Sequence, residues 1–259
     1  MRSIAVRRTA LAAAAAALAL LSTACGGSSD NGDKAGGDKA EAGSATAAAK
    51  ALTAGELEKA ALTQADVKSG KVVTEVPAGD DVTKEQVKAD GEACLPLAHA
   101  QAGVPGGTPA ATVKRSWTGE PQKPSADTPP EKAAMAALDV PKVLVTLASY
   151  EDGGAEQALK DVEEAARKCA KGFTATVGGE KAEYTEVTGT EAPAGGDGAV
   201  ALTMTVNIGE GVTPPMKVVV VRKGATLASF SAVNLASMAS GQDFEFPTEI
   251  VDAQVGKLK

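Results

Sequence analysis

The sequence GAEQALKDVEEAARKCAK, residues 154–171, decides how this chain is organised. Its apolar side chains recur every three or four residues, which predicts an amphipathic helix with one buried face. The residues of that face are Ala155, Ala158, Leu159, Val162, Ala165, Ala166 and Cys169. Residues 143–150, directly before this helix, are rich in β-branched and other apolar side chains and predict a strand. The local order is therefore a strand followed by a helix that buries Cys169.

A second cysteine, Cys94, lies in a shorter predicted helix, residues 93–102, with Pro96 in its first turn. The export signal described below places Cys94 and Cys169 in an oxidising compartment, where an even pair in one domain usually forms a disulfide. Such a bridge closes a loop of about 76 residues, for which the loop-entropy relation gives about 4.5 kcal/mol of stabilisation. The alternative is two buried free thiols.

The segments before these helices predict a mixture of short elements. Thr53 and Glu56 form a capping box, which starts a helix and places the beginning of the domain near residue 52. The other expected elements are a strand at residues 72–76, a short helix at 82–89 and a strand at 111–117. Residues 119–130 contain four prolines and predict a surface loop.

The segments after the Cys169 helix predict mostly strands. Apolar and polar residues alternate over residues 200–206, and Gly224 provides a tight turn between strands at 216–222 and 226–232. Further strands are expected at 173–177 and 182–187, and Pro247 starts a last helix. Helices early and an antiparallel meander late predict a single α+β domain, residues 52–259, with helices packed on one face of an antiparallel sheet and one disulfide.

The first residues predict export and lipid anchoring. Three arginines precede an apolar run at residues 10–21 that is short for a membrane span, and the small residues before Cys25 resemble a bacterial lipobox. We therefore expect a signal peptide at residues 1–24, acylation of Cys25 and a flexible tether at residues 25–51. A plain secretory signal, a retained membrane helix and twin-arginine export of the folded chain are the alternatives.

Composition excludes several kinds of partner. The formal net charge is −7, and it becomes more negative when the N-terminal arginines are removed, so binding to DNA or RNA is not expected. Aromatic residues make up 3% of the chain, which leaves little for stacking on sugars or bases.

The sequence contains no recognisable catalytic motif. His99 is the sole histidine, so any hydrolase mechanism that uses histidine must use it, and neither a G-x-S-x-G elbow nor a phosphate loop is present. The two domain cysteines and one histidine make a poor zinc-ligand set without further ligands. We therefore predict a protein that is not an enzyme and has no catalytic residue, no cofactor and no metal site.

The two cysteine segments resemble a known family. The run Cys94-Leu95-Pro96-Leu97-Ala98, a strand that ends at Tyr150 and a helix that reaches Cys169 are similar to the PknH-like extracellular sensor domain of bacterial membrane serine/threonine kinases. The resemblance spans residues 52–259 and includes the closing helix. It implies an α+β domain with a groove for an unidentified small molecule or envelope component, and it assigns no ligand-binding residue.

These observations predict a lipid-anchored protein on the extracytoplasmic face of the cell membrane, with a non-catalytic, sensor-like domain that binds an unknown ligand. Its expected partners are the membrane, through Cys25, and a small molecule or envelope component. The late antiparallel meander also favours an alternative, a carrier of lipids or other apolar molecules. A hydrolase that uses His99 is a third hypothesis.

Overall fold

The structure is a computed structural model, and it describes residues 49–125 and 127–258. The predicted signal peptide (residues 1–24), the lipidation site Cys25 and nearly all of the predicted tether lie outside the described residues. Ala51 is already buried, and the backbone amide of Leu52 donates to Ser149 Oγ at 2.7 Å, so the packed chain includes Ala51. Within the described ranges, no helix is both long and apolar enough to cross a membrane.

One antiparallel sheet of nine strands organises the described residues. The strands are β1 (Lys71–Val73), β2 (Val87–Ala89), β3 (Ala111–Thr118), β4 (Pro141–Ser149), β5 (Phe173–Val177), β6 (Glu180–Thr190), β7 (Gly198–Asn207), β8 (Pro215–Lys223) and β9 (Thr226–Asn234). Their order in the sheet is β1-β3-β4-β9-β8-β7-β6-β5-β2. Strands β5 to β9 form the predicted meander, and β9 returns to pair with β4 at the middle of the sheet.

Six α-helices accompany the sheet in the described part of the chain. They are α1 (Ala54–Ala60), α2 (Leu95–Gln101), α3 (Pro130–Leu138), α4 (Gly154–Lys168), α5 (Leu235–Ser240) and α6 (Thr248–Val255). The capping box at the start of α1 is present, since the Glu56 amide donates to Thr53 Oγ1 and the Thr53 amide donates to the Glu56 carboxylate. These helices and the sheet confirm the predicted α+β class.

The helices lie on both faces of the sheet, and not on one face as the sequence predicted. Helices α2 and α4 pack over Val218 and Val220 of β8, whereas α1 and α6 belong to the cluster of buried side chains that contains Val219 and Val221. Alternate residues of one strand point to opposite faces, so the four valines at residues 218–221 of β8 require cover on both sides. The described residues form one compact unit, as a single domain requires.

The helices of the α1/α6 face are joined by a buried amide. Gln254 of α6 is fully buried, its Oε1 accepts a hydrogen bond from the Leu62 amide at 2.8 Å, and its Nε2 donates to the Ala60 carbonyl at 2.8 Å. Arg115 of β3 is also buried and donates to the Leu62 carbonyl at 3.2 Å. Both ends of the described chain are therefore held to the same face of the sheet.

Three local predictions differ from the structure. Residues 82–89 were expected to be helical, but they form a single 3-10 turn, Lys84–Gln86, followed by β2, because the backbone of β2 pairs with β5 and becomes the edge strand of the sheet. Helices α3 and α5 were not predicted. Helix α5 begins at an Asn234 side chain that accepts a hydrogen bond from the Ser237 amide at 3.1 Å.

The predicted disulfide is present between Cys94 and Cys169, with the two Cα atoms 5.9 Å apart. Cys94 immediately precedes α2, and Cys169 is the C-terminal cap of α4, so the bridge joins the start of one helix to the end of the other. Helix α2 has seven residues, which is too short to be stable alone in water. The bridge therefore fixes α2 against α4.

We predict that removing this bridge destabilises the domain by about 2–4 kcal/mol, because the unfolded chain gains the entropy of an open loop. Urea unfolding of the oxidised wild type and of the double variant Cys94→Ser/Cys169→Ser, followed by circular dichroism, measures the difference. A reducing agent should lower the midpoint of the wild type and leave that of the variant unchanged. Equal midpoints for the oxidised wild type and the variant would contradict the prediction.

Candidate functional site

A cavity of about 220 Å³, here called the α2–α4 pocket, lies between the two disulfide-linked helices and the sheet. Helix α2 contributes Leu95, Pro96, His99 and Ala100; α4 contributes Ala158, Asp161 and Val162; and the sheet contributes Val220, Leu227 and Ser229. The loop at residues 104–107 and Tyr150, which follows β4, complete the wall. The pocket is therefore built on elements whose relative position the disulfide holds.

His99, which lines this pocket, carries a buried polar atom without a hydrogen-bond partner among the described residues. The residue is 5% exposed, and its Nε2 is buried with no hydrogen-bond partner among the described residues. A buried polar atom without a partner costs about 1–3 kcal/mol of folding free energy, so nearly all such atoms in folded proteins are paired. A bound molecule that hydrogen-bonds to Nε2 would remove this cost.

The imidazole of His99 is neutral at pH 7. Burial lowers its pKa below the usual value because the charged ring loses its hydration, and the positive charge of Lys84 across the pocket lowers it further. Glu92 and Asp161 also line the pocket. A neutral ring offers one donor and one acceptor, so it suits a ligand with a hydroxyl, amide or carbonyl group.

Tyr150 and the loop at residues 104–107 form the wall near His99. The Tyr150 hydroxyl donates to the Gly106 carbonyl at 2.9 Å, and the Lys84 ammonium donates to the Gly107 carbonyl at 2.7 Å. Burial raises the pKa of Tyr150, so the phenol stays protonated at physiological pH. The loop is thus held from two sides, and the phenol oxygen retains capacity to accept a hydrogen bond from a ligand.

The C-terminal end of α2 contacts the sheet directly. Thr146 Oγ1 of β4 donates to the Gly103 carbonyl at 3.0 Å. Gly103 has a φ of 65°, and a Cβ at this position would collide with the Leu144 side chain. A glycine is therefore required for α2 to end this close to β4, and this approach places His99, one turn earlier, over the sheet.

The structure gives no support to catalysis by His99. A histidine that activates a nucleophile is hydrogen-bonded to it or lies within hydrogen-bond reach, and Nε2 has no such partner in the described part of the chain. Among the described residues, no group of three or more histidine, cysteine, aspartate or glutamate side chains converges to hold a metal ion. The arrangement suits binding through one polar contact within a mostly apolar wall.

The carrier alternative needs an empty apolar cavity, and the apolar side chains of the two sheet faces instead pack into two filled clusters. An open groove of about 660 Å³ beside α3 and α5 is lined by many polar side chains. Neither of these two observations favours a lipid carrier.

Sequence reasoning identified some of these residues and missed the roles of others. It predicted the pairing of Cys94 and Cys169, and it singled out His99 only as a possible base. It assigned no role to Tyr150, to Lys84 or to the glycines at positions 106 and 107. The contact of Lys84 with Gly107 joins residues 23 positions apart, and that of Tyr150 with Gly106 joins residues 44 positions apart. No local sequence pattern predicts such contacts.

Comparisons with known proteins add one similarity. No family profile and no curated protein matches the chain. Among solved structures, the chain is similar to the extracellular domain of PknH from Mycobacterium tuberculosis, with a TM-score of 0.47 and 13% sequence identity, over 80% of this chain and 97% of that one. The match assigns no role to any residue of this chain.

We predict that His99 makes folding stability depend on pH between about 7 and 5. The unfolded chain binds a proton near the ordinary histidine pKa of about 6.5, whereas the folded chain binds it at lower pH. Stability is therefore complete above that value, and it falls as the pH falls through it. Glu56 and Asp66, whose pKa values are lowered by hydrogen bonds from Thr53 and Lys257, lose their contributions at lower pH.

The substitution His99→Leu tests this assignment. We expect the variant to be more stable than the wild type at pH 7 by about 1 kcal/mol, because the unpaired nitrogen is gone. It should also lose the stability change between pH 7 and 5. Chemical unfolding at several pH values measures both effects, and a wild-type stability that is constant over this range contradicts the assignment.

Proposed function

We propose that this protein is a membrane-anchored extracytoplasmic lipoprotein whose α2–α4 pocket binds a small, largely apolar, neutral molecule without changing it chemically. The observation that carries the proposal is that His99 lines the pocket and that its buried Nε2 has no hydrogen-bond partner among the described residues. The export signal and Cys25 in the sequence support the anchor. The disulfide agrees with an oxidising compartment.

The size of the pocket limits the ligand. Pockets for drug-sized molecules occupy roughly 300–1,000 Å³, and the α2–α4 pocket, at about 220 Å³, is smaller. Its wall is formed mainly by apolar side chains, among them Leu95, Val104 and Leu227. A compact molecule with an apolar body and a single hydroxyl, amide or carbonyl group fits this lining.

The charges around the pocket favour a neutral ligand. Lys84, Glu92 and Asp161 line it, and the neutral His99 adds no charge. A charged group of either sign would meet both like and opposite charges in this lining, and it would lose hydration on entering the pocket. A neutral polar group meets the imidazole without either repulsion and leaves these side chains in water.

Binding is tested with a pair of probes that differ by one hydroxyl, benzyl alcohol and toluene. Because His99 is the sole histidine, protein labelled with ¹⁵N in its imidazole ring and purified without a histidine tag gives the signals of a single ring. We expect benzyl alcohol to shift the His99 Nε2 resonance and to bind more tightly than toluene. His99→Leu should weaken benzyl alcohol about threefold to tenfold and leave toluene unchanged, as expected for one lost hydrogen bond.

A panel of small neutral alcohols, amides and ketones extends the measurement beyond this pair. The variant Ala158→Phe fills the pocket from α4 and serves as the blocking control, since Ala158 lines the cavity. Probes that leave the ring resonances unchanged throughout the panel, or that bind the blocked variant as well as the wild type, would refute a binding role for the pocket.

The anchor is tested separately in the host cell. We expect a clickable fatty acid to label the wild type and to be absent from Cys25→Ala, because the Cys25 thiol receives the acyl groups. The variant Cys94→Ala/Cys169→Ala is the control and should keep the label. Equal labelling of Cys25→Ala and the wild type would remove the anchor from the proposal and leave the pocket unaffected.

A further inference from the structure

Helices α3 and α5 expose an apolar patch beside a groove that shares no lining residue with the α2–α4 pocket. Helix α3 has the sequence PEKAAMAAL and contains no buried residue. Met135 and Leu138 of α3 and Leu235 of α5 are 37%, 41% and 47% exposed, and they are three of the four large apolar side chains that the described residues leave exposed. Scattered exposed apolar residues are ordinary, but a group of them on adjacent helices indicates an interaction surface.

A groove of about 660 Å³, the α3–α5 groove, lies beside this patch. It is formed by α3, α5, the loop before α6 and the ends of β3 and β9. Its carboxylates are those of Glu120, Asp139, Asp243, Glu245 and Glu249. No lysine, arginine or histidine lines it in the described ranges. The groove is therefore a region of negative potential bordered by apolar side chains.

Two neutral amide side chains orient the carboxylate of Asp139. Asn234 Nδ2 donates to its Oδ1 at 2.8 Å, and Gln122 Nε2 donates to its Oδ2 at 2.6 Å. These amides orient the carboxylate without neutralising it. Lys217 pairs with Asp243 at 2.9 Å, whereas Glu120, Glu245 and Glu249 form no salt bridge with any described residue.

The negative potential excludes several occupants. A second copy of the chain bound through the same surface would bring two sets of carboxylates together, because a two-fold interface pairs a patch with itself. Anionic lipid headgroups and nucleic-acid phosphates would be repelled for the same reason. A single metal ion is not favoured either, since no three carboxylates of the described residues converge to hold one.

We propose that the α3–α5 groove docks a basic amphipathic segment of a partner protein. Leucine-like side chains of the segment pack on Met135, Leu138 and Leu235, and its lysine or arginine side chains lie against the groove carboxylates. Helices with one apolar face commonly bind in this manner, and complementary charge accelerates and orients their docking. The proposal is independent of the α2–α4 pocket.

The test uses the purified full chain and a fluorescent synthetic peptide of lysine and leucine arranged as an amphipathic helix. We expect the triple variant Glu120→Gln/Glu245→Gln/Glu249→Gln to bind it about tenfold more weakly at low salt, since each exposed ion pair contributes a small factor. Met135→Gln/Leu138→Gln should also weaken binding. Raising the salt concentration should reduce the difference between the triple variant and the wild type.

The matched control removes the same charge elsewhere, with Glu151→Gln/Glu180→Gln/Glu186→Gln, and should bind like the wild type. Equal loss in both triple variants, no loss in either, or equal binding of a glutamate–leucine peptide would each overturn the proposal.

Phosphatidylglycerol vesicles are tested with Cys25→Ser, so that no acyl chain contributes. If this protein binds the vesicles and the added substitutions Met135→Gln/Leu138→Gln abolish that binding, the patch binds the bilayer. This outcome would also overturn the proposal of a protein partner.

Discussion

The disulfide between Cys94 and Cys169 is the constraint on which the candidate site depends. It joins the first residue before α2 to the last turn of α4, and the pocket lies between these two helices. Helix α2 is too short to hold its place by backbone hydrogen bonds alone. The bridge, the apolar contacts with α4 and the close approach at Gly103 together keep His99 over the sheet.

The two faces of the sheet differ in whether a buried polar side chain finds hydrogen-bond partners. On the α1/α6 face, the fully buried Gln254 satisfies both ends of its amide with backbone groups of residues 60 and 62. On the α2/α4 face, His99 Nε2 is buried without a partner, and it is the single such side-chain atom found among the described residues. This difference between the two faces is the observation on which the proposed ligand contact at His99 rests.

The elements that the sequence predicted well are those with a strong local pattern. The 3.6-residue period of α4, the capping box at Thr53 and the alternation in β7 each follow from contacts within one element. The elements that it missed depend on distant partners. Strand β2 forms because β5 offers an unpaired edge, and no property of residues 87–89 alone distinguishes them from a helix. Helix α3 buries nothing, so it lacks the apolar stripe by which helices are recognised.

The sequence by itself determined the fold class, the helix that carries Cys169 and the pairing of that cysteine with Cys94. Hydrophobic periodicity and the number of cysteines can be read from the sequence without the tertiary structure. Only the tertiary structure decided that helices cover both faces of the sheet, since the valines of β8 indicate burial on both sides but not which elements provide it. It also decided that His99, Tyr150 and the loop beside Lys84 surround one pocket. Those contacts join strands and helices far apart in sequence, and their proximity follows from strand order, which no local pattern encodes.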